Sequence, residues 1–310
     1  MGADDIIAVE VLVASKKVEL IGVLVCEGLC SVEKGSENAR KLLNFLNLSS
    51  APVAKGIVRN RELSGEDKVY REISEKLLSN LQFDKESGKI TDEGVDFLEK
   101  QILNNPGEIV IFTLGPLTNI ASLVKKNPKI FSQVKKIVIM GGALEVRGNT
   151  RNGAEWNFAQ DPESVKVVLT APSKKVLVPL DITNQVPITL SLLEGLSNCT
   201  NPLAQIASSV LLPQKEWIEK GKYFLWDPLA VLVEIEKIPL LSYSIGVYSE
   251  GERAGKLFFS PQGSKVFIPA SINARRELLQ LREYLCKCLL LLKKVDTYFL
   301  YKESKLELYF

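Results

Sequence analysis

Two adjacent carboxylates, Asp4 and Asp5, follow Gly2 at the front of the chain and open an amphipathic run of Ile6, Ile7, Val9, Val11 and Leu12. Placing two acids side by side is costly unless a cation or a polyhydroxylated ligand lies between them. Polar groups of the same style follow other apolar runs. They are Thr118-Asn119, then Asn149, Glu155 and Asn157 beyond Met140-Gly141-Gly142, and Asp227 between Trp226 and Pro228. Carboxylates, amides, a glycine-paired turn and an indole suit a sugar held by its hydroxyls, an oxygen-coordinated divalent cation and a flat heterocycle stacked on tryptophan. The chain has no histidine. That excludes Ser-His-Asp and Cys-His chemistry and any imidazole acid, and leaves carboxylates, a hard cation, amides, hydroxyls and aromatics.

Each of these residues also has a purely structural role open to it. Asp227 before Pro228 reads as a helix N-cap with proline in the first helical position. Thr118-Asn119 is ordinary turn and capping chemistry, and Gly141-Gly142 lets a strand turn tightly. Asn149, Glu155 and Asn157 could satisfy a loop, and Trp226 could fill the core.

The elements that must position these groups alternate in type. Apolar β-branched runs at 18–26, 53–54, 109–114, 136–140 and 175–180 predict strands; helical patterns fall at 36–46, 68–81, 92–103, from 117, and at 162–169. Near-continuous Val/Ile/Leu strands separated by helices predict an α/β fold, a doubly wound, mostly parallel sheet covered by helices on both faces. Ligands in such sheets bind beyond the carboxyl ends of the strands. One domain is expected over 1–310. Its last third, about 200–310, reads as a helical embellishment, with helices at 203–220, 228–236 and 274–292 around short extended pieces. The final residues, 298–301 and 306–310, suggest a hairpin or an association edge.

With 46% apolar residues in 310, the chain can bury a large core. A net charge of +2 with short, dispersed lysine pairs does not support nucleic-acid binding. The apolar runs are too short to span a membrane, and the acidic start does not resemble a signal peptide, so a cytoplasmic location is the default expectation. Cys26, Cys30, Cys199, Cys286 and Cys288 are an odd set in a chain too large to need staples, and reduced thiols are expected.

Six segments, taken together and in order, resemble the nucleoside hydrolase family, the inosine-uridine-type enzymes that cleave the N-glycosidic bond of ribonucleosides. They are Gly2-x-Asp4-Asp5, Leu114-Gly115-Pro116-Leu117-Thr118-Asn119-Ile120, Met140-Gly141-Gly142-Ala143, Asn149 with Glu155-x-Asn157 and Asp161-Pro162, Val178-Pro179-Leu180-Asp181, and Asp227-Pro228-Leu229-Ala230. The resemblance covers essentially the whole chain. It implies a calcium ion bound by the carboxylates of Asp5 and Asp227 and the backbone carbonyl of Thr118. It also implies a ribose held by Asp4, Asn149, Glu155 and Asn157, and a catalytic role for Asp5. The expected ligand is a small-molecule ribonucleoside, in a homodimer or homotetramer acting in purine salvage.

Three departures from the family pattern matter. The family loop reads Asp-x-Asp-x-Gly-x-Asp-Asp, and here Met1 aligns with the residue before the glycine. Both leading aspartates, one the presumed base, and the first strand that carries them are therefore missing from the chain as given. A start assigned too late and a true truncation both explain this, and the second makes the chain a catalytically impaired nucleoside-binding protein. Trp226 stands where much of the family has histidine; the purine-preferring branch carries tryptophan there. That residue makes Trp226 a substrate-binding and catalytic candidate, stacking on a purine and favouring its protonated form. Lastly, Glu27-Gly28-Leu29-Cys30 replaces a glycine-asparagine pair, and Asn60 to Gly65 replaces a His-Gly stretch.

Overall fold

The computed structural model describes residues 1–59, 65–79 and 88–287, and the backbone of 305–309. The replaced stretch at 60–64, Cys288 and the 298–301 segment lie outside the described residues. The strands are β1 (Glu19–Val25), β2 (Val53–Lys55), β3 (Ile90–Thr91), β4 (Val110–Thr113), β5 (Lys136–Met140), β6 (Lys175–Val178), β7 (Leu240–Val247), β8 (Leu257–Phe259), β9 (Ser264–Pro269) and β10 (Lys305–Tyr309). The helices begin with α1 (Ala3–Ser15), α2 (Val32–Phe45), α3 (Gly65–Lys76), α4 (Gly94–Asn104), α5 (Thr118–Lys126), α6 (Trp156–Gln160) and α7 (Pro162–Thr170). They continue with α8 (Leu180–Thr183), α9 (Leu190–Ser197), α10 (Pro202–Leu211), α11 (Lys215–Glu219), α12 (Asp227–Ile235) and α13 (Ala274–Lys287).

All ten strands form one sheet in the order β3-β2-β1-β10-β4-β5-β6-β9-β7-β8. Pairing is parallel from β3 to β9, as the continuous Val/Ile/Leu runs require, and every residue of β4 and β6 is buried. The doubly wound expectation holds. The last third is more than a helical embellishment, however. Its extended pieces join the main sheet, β7 pairing antiparallel with both β8 and β9. The long helix expected at 203–220 is broken into α10, a 3-10 turn at Leu212–Gln214 and α11, because Pro213 offers no amide hydrogen to continue the ladder.

The most consequential difference concerns the slot beside β1. An absent first strand would leave the facing edges of β1 and β4 unpaired. Instead β10, drawn from the far end of the chain, runs parallel between them, pairing Leu20 with Leu306 on one side and Phe112 with Leu308 on the other. Residues 305–309 are thus neither a hairpin nor an outer edge. Backbone groups buried in a sheet interior must be paired, and this segment supplies the partners.

Helices α1 and α12 pack against each other and are buried around almost their whole circumference. Both read as nearly uniform apolar sequence, which is the pattern of an interior helix rather than a surface one. The expectation of reduced thiols is overturned at one pair. Cys199 and Cys286 form a disulfide across 87 residues of sequence, with Cα atoms 5.8 Å apart. Spacing in the sequence could not reveal that proximity, which arises where α13 packs on α9 and α10. Disulfides persist mainly in oxidising compartments, so the cysteines lend no support to a cytoplasmic location. Cys26 and Cys30 remain thiols.

Candidate active site

Helices α1 and α12 both start with acid, and their packing brings those starts together. Ligand atoms of Asp4, Asp5 and Asp227 all lie within 4.8 Å of one another. Asp227 is 3% exposed, and Asp4 and Asp5 are half-buried. The helix amino ends favour negative charge. In addition, Asp5 accepts the Gly2 amide at 2.6 Å and Asp4 accepts the Asp5 amide at 3.2 Å.

These contacts do not offset the crowding. Burial, and then the Asp4 charge, pushes the Asp5 carboxyl up to about 7. Asp227 lies well above the usual carboxylate range through burial and the charges of Asp4, Asp5 and Glu155. Burial also raises Asp4, against the backbone hydrogen bonds it accepts. Three hard oxygen donors that resist sharing charge are the donor set of a divalent cation such as calcium. The residues present therefore fit that ion.

Glu155 caps α6, and its carboxylate accepts three backbone amides: Gly142 at 2.9 Å, Asn157 at 2.8 Å and Phe158 at 3.0 Å. This ties the turn after β5 to the start of α6. Gly142 holds φ at +81°, and a Cβ there would meet Leu257 at 2.5 Å, so the turn requires glycine. Asn157 donates from Nδ2 to the carbonyls of Leu114 and Met140, the residues that follow β4 and end β5. Its amide nitrogen thus locks two strand ends together, and the amide oxygen is the part left for a ligand. Asp181 accepts the amides of Leu144, Glu145 and Val146 and so orders the loop beyond Gly142.

Two of the expected site residues lie apart from this group in their visible contacts. Thr118 opens α5 and its hydroxyl donates to Asp161, at 2.6 Å. Asn149 is exposed on the loop after β5. Trp226 immediately precedes α12 and is partly buried, and its indole nitrogen is enclosed without a hydrogen-bond acceptor among the described residues. Its ring meets Tyr223 edge to face, with centroids 4.9 Å apart, and Phe224 at 6.0 Å.

Sequence reasoning missed Tyr223. It is 9% exposed, and burial, then the charges of Asp4, Asp227 and Asp5, push its hydroxyl well above the usual tyrosine value. The signal was available, since Tyr223 stands three residues before Trp226. A second cluster near the β1 end was also missed. Glu27 accepts the Arg59 amide at 2.6 Å and pairs with Arg71 at 3.2 Å, while Arg71 also donates to the Gly28 carbonyl.

An acidic trio at the carboxyl edge of a parallel sheet, beside an amide, a glutamate fixed by backbone amides and an indole, marks the site of an α/β protein of the doubly wound class. The chain belongs to the inosine-uridine preferring nucleoside hydrolase family, whose sequence profile matches residues 1–277. It is therefore an N-glycosidic hydrolase by family. Uridine nucleosidase 1 of Arabidopsis thaliana is 31% identical over 252 residues, covering 79% of this chain and 74% of its own. Among solved structures, a plant nucleoside hydrolase superposes with a TM-score of 0.81 at 23% identity, over 92% of this chain and 96% of that one. A purine-preferring ribonucleoside hydrolase from Gardnerella vaginalis gives 0.79 at 23% identity, over 93% and 96%. No helix among the described residues is long and apolar enough to cross a membrane.

Proposed function

We propose that this chain hydrolyses the N-glycosidic bond of ribonucleosides with calcium held by Asp5, Asp227 and the Thr118 carbonyl. The observation that carries the reading is the convergence of Asp4, Asp5 and Asp227 within 4.8 Å in a chain of this family. A bound calcium ion supplies polarisation of the ribose diol and of a water molecule.

The chain's own groups do the rest. Asp4 and Glu155 accept ribose hydroxyls, Asn157 accepts through its free amide oxygen, and Asn149 holds a hydroxyl from its loop. Cleavage of a glycosidic bond passes through an oxocarbenium-like state, so hydroxyl contacts that strengthen as the ring flattens lower the barrier. Glu155 is suited to this because three backbone amides fix its carboxylate before any ligand arrives. Asp5 accepts the proton of the attacking water, and Trp226 faces the base.

Trp226 supports a purine preference. An indole face stabilises a protonated purine as it leaves, which suits a chain with no histidine to act as acid. The pyrimidine reading is favoured by a different observation, the 31% identity to a protein named as a uridine nucleosidase. A third reading, nucleoside binding without turnover, rests on the same trio, because Asp5 would have to serve both as a cation ligand and as the base. Ribose release from inosine and from uridine, each with calcium and with a chelator, separates all three. Calcium-dependent release with inosine at least tenfold ahead is expected. Comparable rates would remove the purine preference, and tight binding with no release in either case would remove the enzymatic reading.

A further inference from the structure

The amino edge of the sheet, opposite the acidic trio, carries a cleft of about 530 Å3. It lies between the segment leaving α7, the starts of β6 and β9, and Ser132 and Val134 ahead of β5. Lys174, Lys175 and Lys265 line it, and no aspartate or glutamate does. Lys174 Nζ lies 4.7 Å from the centroid of the Phe267 ring and Lys265 Nζ 5.3 Å from the same centroid. Two cations thus gather on one aromatic side chain, and Lys175, next in sequence to Lys174, is only 5% exposed.

Part of this arrangement is structural. Lys175 donates to the Ala171 carbonyl at 2.6 Å, neutralising the negative end of α7. That accounts for one of three ammonium hydrogens on one lysine. Lys174 and Lys265 share the Phe267 ring with no acidic side chain in the cleft, an arrangement that an anion between them would stabilise. A further polar group awaits a partner, since Ser173 Oγ is enclosed without a hydrogen bond among the described residues. Burial lowers the Lys175 ammonium to about 8, which a bound anion would reverse.

We propose that this cleft binds a small phosphate-bearing molecule through Lys174, Lys175, Lys265 and the Ser173 hydroxyl. A dianionic group with several acceptor oxygens matches ammonium point charges and one hydroxyl donor. The cleft is larger than a phosphate group alone, and the Phe267 ring supplies an apolar wall for an attached organic part. Because the site lies at the edge of the sheet away from Asp4, Asp5 and Asp227, its occupation is independent of nucleoside binding.

Calorimetric titration of the full chain with inorganic phosphate, with ribose 5-phosphate and with chloride at matched ionic strength tests this. Saturable binding of phosphate or its ester is expected, with none for chloride. Tighter binding of the ester points to an organophosphate ligand, and equal binding to the inorganic ion. The double variant Lys174→Gln/Lys265→Gln, at exposed positions, should weaken binding at least tenfold with its melting temperature preserved, and Asp227→Asn should leave it unchanged. No saturable binding, or unaltered affinity in the double variant, would overturn the proposal.

Discussion

Tyr223 and Trp226 meet edge to face, their ring planes inclined by 69°, at the margin of the acidic trio. The tyrosine hydroxyl feels the Asp4, Asp227 and Asp5 charges, and the Trp226 indole nitrogen is enclosed without an acceptor. The Tyr223 ring thus lies beside the three acids and braces the Trp226 ring. Trp226→Ala is expected to lower kcat/KM for inosine by about 10- to 100-fold, the range of roughly 1–3 kcal/mol for base stacking on an aromatic, and to lower that for uridine less. Tyr223→Phe keeps the edge contact and should cost under tenfold. Steady-state kinetics with both nucleosides checks this, and equal losses for the two would remove Trp226 from base selection.

Asp227 contributes one of the three carboxylates and is the most buried of them. Asp227→Asn should lower turnover by about 100-fold or more, the scale seen when one preorganised electrostatic group is lost. The same change should raise the melting temperature of chelator-treated protein, because it removes one charge from a crowded, raised-pKa cluster. A variant less active and less stable under chelation would point to a packing role for Asp227 instead.

Stability should depend on pH in a direction set by Asp5. Its folded carboxyl sits at about 7 against an ordinary value of 3.8, so the folded state holds a proton that the unfolded chain releases. In chelator-treated protein, the Asp5 contribution to stability is then fullest below about pH 4, falls as pH rises towards 7, and is lost above. Calcium should abolish the decline. Melting curves across this range, with and without the ion, measure it, and a flat profile in chelator would contradict the assigned crowding.

Much of this was legible because local chemistry and fold agreed. The run Lys136–Met140 reads as a strand and is one, and Asp227-Pro228 reads as a helix start and is one. Asp5 and Asp227 were paired, and Asp4 assigned to the ribose, through the resemblance of their segments to the nucleoside hydrolase pattern. Long-range pairings carried no local signal. The Cys199–Cys286 bond depends on how α13 lies on α9 and α10, and the Asn157 bridge between the ends of β4 and β5 depends on their adjacency. Tyr223 was overlooked because it falls between the expected helices and in none of the matched segments.

Glu10 offers a test of packing away from the chemistry. It is fully buried in α1, both carboxylate oxygens lack a partner among the described residues, and burial raises its pKa well above the ordinary value. An unpaired buried acid costs about 1–3 kcal/mol or more. Glu10→Met, similar in length and apolar, is expected to raise the melting temperature by several degrees while leaving kcat unchanged. Destabilisation by this variant would show that Glu10 has a polar partner.

The slot between β1 and β4 makes the sharpest structural test. Residues 305–309 pair with Glu19, Leu20, Val23 and Leu24 on one side and with Ile111, Phe112 and Thr113 on the other. Deleting 305–310 leaves two interior strand edges without partners, and such edges are destabilising and prone to association. Amide hydrogen exchange should then rise at 19–24 and 110–113 while β5 and β6 stay protected. Unchanged protection at β1 and β4 would show that the terminal segment does not occupy the slot.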